Sequence, residues 1–447
     1  MAEEVRGELT LRVERMAYGP DAVAHRDDGK AVFVSGGVPG DLVRACVEQD
    51  GKSLSHAIVT EVLEPSEMRV RPACPLVPVC GGCPWAGLSE DAQLEQKRSS
   101  VVDALVRIGH MAPARAESLV APCESPGERW GYRNKVELAF ERHGRRSLIG
   151  MHDRSGTGVV KVDSCPLLDA RHSKLTKSVA GALSYLSNSH GLDIDRVGIR
   201  ASRRTREVEI ALWTEPGPFP RAQVAKVLQE ATRASSVVRV LTKGPKKARR
   251  VTGVERLSGA GCWGEQVAGG TMLLSAPSFF QVNTKGTERL VELVMEGLDP
   301  DEGDVAMDLY CGAGTFTLPL ARRVSWVDAV ESYGPAVRDL RRNLERAGLD
   351  NVDAVGGDAG REFPDSDADV IVVDPPRAGL AEDVVERLSE QPARTIAYVS
   401  CDPATLARDL ARFEERGVFS PVHITPVDLF PQTFHIECVT LLSRARG

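Results

Sequence analysis

The sequence predicts an α/β protein. A doubly wound, mostly parallel sheet fills its last third, preceded by an N-terminal OB-like β-barrel and an α+β middle domain. Three observations carry this reading. Between residues 305 and 416, short apolar runs alternate with amphipathic stretches, the pattern of βα units in a parallel sheet. The first of these runs, VAMDLY, meets Cys311-Gly312-Ala313-Gly314-Thr315, and a strand, a glycine loop and a helix in that order form a nucleotide-type cofactor site. Residues 1 to about 65 hold five short, mostly alternating runs punctuated by Asp28-Gly29, Gly36-Gly37 and Asp50-Gly51.

A chain of 447 residues has room for about three domains, here 1–66, 67–270 and 271–447. With 42% hydrophobic and 27% charged residues the composition is that of a soluble globular protein. No apolar run approaches the ~20 residues needed to cross a bilayer, and the acidic start MAEEVRGELT lacks the apolar core of a signal peptide. A cytoplasmic protein without a membrane partner is expected. The net charge of −7 does not point to nucleic acid, but local clustering matters more than the total. Two basic clusters, Arg200 to Arg206 and the stretch 243–250, fit either an RNA-facing patch or an ordinary solvated surface.

Five strands in about 60 residues fit a small OB-like barrel, a fold that often, though not always, binds oligonucleotides. Pro65 and Pro72 bracket a linker. Then comes Cys74-x5-Cys80-x2-Cys83, with Cys165 in Asp-Ser-Cys-Pro as a fourth thiol. Ten cysteines in a cytoplasmic chain do not predict disulfides. Zinc and an iron–sulfur cluster both accept four thiolates. Three clustered thiols with a distant fourth, two of the three followed by Pro, resemble an iron–sulfur set more than two zinc knuckles. Between them, SEDAQLEQKRSSVVDALVRIG has helical periodicity, with Ser89 as N-cap and Gly109 as terminator. From 110 to 270, strand-like KVELAF, SLIGMHD, VGIRA and EVEIALW alternate with two helical stretches. The segment Trp130-Gly-Tyr-Arg133-Asn134-Lys135 suits RNA stacking and a buried aromatic equally.

In the last third, each of several apolar strands ends in an acid: Glu331 after VSWVDAV, Asp358 after NVDAVGG, and Asp374 in Asp-Pro-Pro-Arg377. A single acid there is often a helix cap. A succession on consecutive βα units is better explained by one ligand crevice. An acid ending the second strand suits a ribose diol, and the arrangement is that of an S-adenosylmethionine site: the Asp308 loop for the methionine end, Glu331 for ribose, Asp358 for adenine.

Ile396 to Ser400 is a short buried strand that ends in Cys401-Asp402-Pro403 and passes into a helix, LARDLARF. Strand ends are where ligands bind in open α/β sheets, so Cys401 is a candidate nucleophile rather than a packed thiol. His435 and Glu437 sit two apart in a last apolar strand, on one face. An acid in such a strand is costly unless paired or used, which marks Glu437 as a catalytic group. A thiol, a carboxylate and a methyl donor are together what C5 methylation of a pyrimidine requires. Carbon 5 is a poor nucleophile until a thiolate adds to carbon 6, and a base must then remove the C5 proton. The target base has to leave its stack, which favours single-stranded or loop RNA. An amino-group methyltransferase using Asp374-Pro-Pro fits less well, because an aromatic usually follows Pro-Pro and here Arg377 does. The intact Cys401 and Glu437 speak against a non-catalytic RNA-binding factor.

On DLYCGAGTF, DPPRAGL, SCDP and FPQTFHIE, the chain resembles the RNA uracil-5 methyltransferases over nearly its whole length. It looks most like their TRAM-bearing, iron–sulfur branch acting on 23S ribosomal RNA. The resemblance implies a class I S-adenosylmethionine-dependent methyltransferase fold, a TRAM domain in the first 66 residues and a [4Fe–4S] cluster on Cys74, Cys80, Cys83 and Cys165. It implies cofactor contacts from Gln281, Tyr310, Glu331 and Asp374, with Asp358 next, Cys401 as nucleophile and Glu437 as base. The expected partner is RNA, ribosomal in preference to transfer RNA, with no DNA and a monomeric chain. Trp85 departs from the branch, which usually shows a Gln-like residue there.

Overall fold

The computed structural model describes residues 7–143, 146–245 and 249–445. Of the basic stretch 243–250, Lys246, Lys247 and Ala248 lie outside the described residues. Among the described residues no helix is long and apolar enough to cross a membrane.

The N-terminal unit is a six-stranded sheet of β1 (Glu8–Arg12), β2 (Arg15–Met16), β3 (Ala22–His25), β4 (Ala31–Ser35), β5 (Leu42–Asp50) and β6 (Leu54–Glu64), in the order β1-β5-β6-β4-β3-β2. The expected first strand is broken into β1 and β2. At the break, Val13 N–H donates to the Asp41 carbonyl and Glu14 N–H to the Val23 carbonyl. One chain segment therefore joins both edges of the sheet, giving it a barrel-like closure. Buried Asp41 holds the Val38 and Ser66 amides and accepts from Arg69. This satisfies a carboxylate that burial would otherwise make costly.

α1 (Glu90–Arg107) starts at Ser89, whose side chain accepts from the Ala92 amide, as the sequence predicts. With α2 (Pro113–Leu119) it packs not on the middle sheet but on the C-terminal unit: Val101, Leu105 and Ala116 share one core with Leu406, Leu410 and Phe413. The middle sheet comprises β7 (Lys135–His143), β8 (Arg146–His152), β9 (Val159–Val160), β10 (Arg196–Ala201), β11 (Val208–Thr214), β12 (Ser236–Lys243) and β13 (Arg250–Gly259), in the order β13-β12-β11-β10-β7-β8-β9. Helices α3 (Leu175–His190) and α4 (Arg221–Thr232) put Val179, Leu183, Val224 and Leu228 against it. The hairpin of β14 (Trp263–Val267) and β15 (Gly270–Leu274) follows.

The C-terminal unit begins with α5 (Thr284–Leu298), capped by the Asn283 side chain. It continues through β16 (Val305–Leu309), α6 (Thr317–Ala321), β17 (Trp326–Glu331), α7 (Gly334–Ala347), β18 (Val352–Gly356), β19 (Val370–Val373), α8 (Glu382–Glu390), β20 (Thr395–Ser400), α9 (Pro403–Arg416), β21 (Phe419–Val427) and β22 (Glu437–Arg444). The sheet order is β18-β17-β16-β19-β20-β22-β21. The first five strands run parallel, and β22 is antiparallel to both its neighbours. The central strands are buried on both faces, hence their continuous Val and Ile runs.

A polar seam joins α1 to the loop between β21 and β22. Lys97, 1% exposed, pairs with buried Asp428 and donates to the Phe430 carbonyl. Breaking a buried pair strands a charge, so Lys97→Ala is expected to destabilise by about 3–5 kcal/mol. Lys97→Met with Asp428→Leu is expected to recover most of that loss. Denaturation midpoints of both variants measure this, and an equal loss in the two would remove the ion pair as the cause.

Candidate active site

Because β19 and β20 run parallel and β22 runs against them, the ends of the first two and the start of the third meet at one sheet edge. Val373 pairs with Tyr398, and Ser400 with Cys438. Asp374 and Cys401 are the next residues out from β19 and β20; the register sets Cys401 opposite Glu437, the first residue of β22, and Asp374 level with Val399. The Asp402 carboxylate is committed to capping α9, accepting from the Ala404 and Thr405 amides at 2.9 and 3.1 Å.

The site is acidic, with Glu437 buried and Asp374 and Cys401 half-buried. Burial, then the charges of Glu437 and Asp374, push the Cys401 thiol up to about 12, against the lowering effect of Arg377. Glu437 is buried, and desolvation followed by the Asp374 charge raises it well above the ordinary carboxylate range. Its Oε2 has no hydrogen-bond partner. Asp374 is raised to about 7 by burial and by Glu331. Sequence reasoning used Arg377 only to exclude another enzyme class. Its guanidinium is the cation that opposes this negative charge at both Cys401 and Glu437. It also meets His435 Nδ1 at 2.9 Å.

His435 does not share a strand face with Glu437. β22 begins at Glu437, and His435 lies in the preceding loop. The strand cannot extend back because Gln432 is in the left-handed region at φ 74° and the His435 amide turns to Thr433 Oγ1. Burial, then Arg377, holds the His435 ring down to about 4, so it is neutral near pH 7.

Along the same edge, β16, β17 and β18 carry the crevice. Asp308 is fully buried. Oδ2 accepts from Thr317 Oγ1 at 2.6 Å, Oδ1 has no partner, and burial raises the group to about 8. Tyr310 is held at φ 65°, a costly conformation outside glycine that marks a constrained site. Gly314, at φ 102°, has no room for a side chain, since a Cβ there would lie 2.3 Å from Leu318. Glu331 Oε2 accepts from the Gly312 amide at 3.0 Å, tying the second strand to the glycine loop. Gln281 is buried with Oε1 unpartnered. Asp358 is exposed at the rim and accepts from the Gly360 amide. Three buried acceptor atoms without partners, on Gln281, Asp308 and Glu437, all belong to residues around this edge. They fit a ligand with cationic and donor groups.

The segment 130–135 forms scaffold rather than a free aromatic patch. Tyr132 is buried and donates to the Pro431 carbonyl, and Asn134 Nδ2 donates to the Gln281 carbonyl. The cluster 200–206 is likewise largely committed. Buried Arg200 faces Glu209, Arg203 pairs with Glu128 and Asp169, and Arg204 pairs with Glu288. In the second cluster, Arg249 pairs with Asp195 and Glu215.

The four expected metal thiols are free. Cys83 and Cys165 are buried. Cys83 is raised to about 12 by burial and by the charges of Cys165 and Cys80, with Arg133 lowering it and Cys74 adding least. Among the described residues, however, no group of three or more His, Cys, Asp or Glu is arranged to hold a metal ion. The cluster that the resemblance implies on these four thiols is thus not shown by the described residues. Metal ligation is coupled to folding in such sites.

The parallel sheet, the glycine loop and the acids along one edge define an S-adenosylmethionine-dependent methyltransferase. The family described as tRNA (uracil-5-)-methyltransferase matches residues 267–445. An RNA methyltransferase of Thermosynechococcus vestitus is 34% identical, covering 97% of this chain and 98% of that relative. The 23S rRNA (uracil(1939)-C(5))-methyltransferase RlmD of Alkalilimnicola ehrlichii is 30% identical, covering 98% and 97%. The crystal structure of Pyrococcus abyssi tRNA (uracil-54, C5)-methyltransferase with S-adenosyl-L-homocysteine has a TM-score of 0.73 at 25% identity, covering 99% of this chain and 100% of that one. This chain belongs to the RNA uracil-5 methyltransferase family and is an S-adenosylmethionine-dependent enzyme of that class.

The acids predict a pH dependence. Asp308 and Asp374, raised to about 8 and about 7, carry protons in the free enzyme near neutrality. A cationic ligand favours their ionised forms, so binding S-adenosylmethionine near neutrality should release on the order of one proton, and affinity should rise with pH up to about 7 to 8 and level off above, where the free enzyme is already ionised. Calorimetry in buffers of different ionisation enthalpy reads both, and a pH-independent affinity without proton release would contradict this.

Proposed function

We propose that this enzyme methylates carbon 5 of a uridine in 23S ribosomal RNA through a transient bond between Cys401 and carbon 6. The observation that carries the reading is the placement of Cys401 and Glu437 side by side at the sheet edge, the carboxylate buried with one oxygen unpartnered. S-adenosylmethionine, when bound, supplies an electrophilic methyl group; Gln281, Tyr310, Glu331, Asp358 and Asp374 are the residues that would hold it.

Cys401 and Glu437 must first lose their protons to solvent, and Arg377 is the cation that favours both charged forms. The Cys401 sulfur adds to carbon 6, and the C5=C6 electrons move onto the C4 carbonyl as an enolate. Carbon 5, now nucleophilic, takes the methyl. Glu437 then accepts the C5 proton, the C5=C6 bond re-forms and the C6–S bond breaks, freeing the thiolate. The environment suits Glu437 for this step: burial favours its protonated form, which makes the ionised carboxylate a strong base.

The ribosomal target is supported by the relative named for 23S rRNA, identical at 30% across nearly the full length of both chains. A transfer-RNA uridine is the second reading, favoured by the structural neighbour named for tRNA. Cys401→Ala should abolish methylation. Glu437→Gln should stall after methyl transfer and accumulate a covalent protein–RNA adduct that resists denaturing electrophoresis. Normal turnover by Glu437→Gln would remove it from the base role. Mapping 5-methyluridine in ribosomal and transfer RNA fractions of a deletion strain decides between the targets.

Cys74, Cys80, Cys83 and Cys165 would hold a [4Fe–4S] cluster, which when bound supplies a cross-link between the 74–83 loop and the turn at 165. Both supports are fixed on their own: the Gly81 amide donates to the His152 carbonyl, and Gly131 and Arg133 donate to the Pro166 and Leu167 carbonyls. Protein purified without oxygen should be brown, with absorbance near ~400 nm that Cys83→Ser removes. Colourless, iron-free protein would contradict the cluster.

A further inference from the structure

One aromatic of the N-terminal barrel reaches the catalytic edge. Tyr18 lies in the turn between β2 and β3, and its ring meets the Phe434 ring edge-on at 5.9 Å. Phe434 in turn packs on His435 at 4.2 Å, and His435 on Phe430 at 5.9 Å. The row therefore runs from the barrel to the loop that leads into Glu437. Asp402, Cys438, Arg377 and, least, Cys401 act on its phenol electrostatically, in keeping with a ring at this end of the row. Burial raises its ionisation far above the ordinary tyrosine range, so it stays a neutral ring. Yet 41% of its surface remains open.

Tyr18 is also held in place. The Ala17 amide bonds to the Asp21 carbonyl and the Gly19 amide to the Ala17 carbonyl. Trp85, 1% exposed, donates its indole N–H to the Gly19 carbonyl at 2.9 Å, while its own amide donates to the Gln432 carbonyl at 3.0 Å. The residue that fixes the Tyr18 turn is thus bonded to the catalytic loop as well. A ring needed only to fill the seam between barrel and catalytic unit would be covered on all sides. This one is anchored from behind and open in front.

A uridine drawn out of its stack leaves an adjacent base without a neighbour. Sequence-tolerant stacking on an aromatic side chain is the usual replacement. We propose that Tyr18 is an RNA-stacking residue of the catalytic mouth, taking the nucleobase next to the methylated uridine, and that Trp85 positions it through Gly19. This assignment rests on the proposed RNA uridine reaction.

The test uses the full-length enzyme and a transcript carrying the uridine that the wild type methylates, with 2-aminopurine replacing the adjacent base. Tyr18→Ala should raise KM for RNA about tenfold, the scale of one lost base–aromatic stack. Its kcat, affinity for S-adenosylmethionine and unfolding midpoint should match the wild type. Tyr18→Phe should restore KM, and Trp85→Phe, which removes the indole N–H, should give an intermediate rise. Binding should quench 2-aminopurine in the wild type and not in Tyr18→Ala. An unchanged KM and unchanged quenching in Tyr18→Ala would overturn the assignment while leaving the reaction intact. So would a Tyr18→Ala defect confined to a lower unfolding midpoint. A wild-type enzyme that methylates no RNA uridine would overturn the reaction and this assignment with it.

Discussion

The catalytic edge depends on how one buried residue, Gln432, is held. It is 0% exposed and sits at φ 74°, which an L side chain adopts only at a cost. Its polar groups are satisfied: the amide donates to Gln93 Oε1, the carbonyl accepts from the Trp85 amide, and the side chain bonds to Gln93 and the Arg129 carbonyl. These partners all lie between Trp85 and Arg129. The turn that aims Glu437 at Cys401 is therefore built by residues more than 300 positions away in the chain.

That arrangement explains why the barrel, the middle segment and the catalytic sheet are not separable beads. Trp85 and Leu88 belong to the core of the barrel, with Phe434 packed against it. α1 belongs to the core of the catalytic sheet. Asn134 fixes the carbonyl of Gln281, and Asn283 donates to the Leu429 carbonyl. Gly286 lets α5 pass so close to Leu429 that a Cβ there would lie 2.2 Å from the Leu429 side chain. Shape at the edge is thus set from three directions, and charge is set by the edge itself. Acids gathered in one crevice raise one another, and the ligand's positive charge is what such a crevice lacks.

Much of this was legible along the chain. The βα alternation after residue 300, the glycine loop and the cap at Ser89 follow from local periodicity and capping chemistry, which need no partner to be read. The single run expected over residues 7–17 is broken by two cross-chain bonds, to Asp41 and Val23. The cluster at 200–206 looked like a basic patch because its acids, Glu128, Asp169 and Glu288, are distant in sequence. Tyr18 escaped notice because nothing near it in the chain marks it as a neighbour of this site; Arg377 did so although Asp374, three residues before it, is a crevice candidate, because the sequence does not show where its guanidinium reaches.

By itself, the sequence singled out the candidate groups for the proposed chemistry, because an acid in an apolar strand is costly unless it is used and a thiol at a strand end faces the ligand crevice. It determined the order of strands and helices, because period and capping are local. Only the tertiary structure decided that Glu437 stands beside Cys401, since that follows from β22 running antiparallel between β20 and β21. Only the tertiary structure decided that His435 leaves the strand, that Arg377 opposes the acids, and that a ring from the first twenty residues packs on Phe434. Strand direction, close packing and electrostatic fields act through space, and the linear order of residues does not encode which distant groups share it.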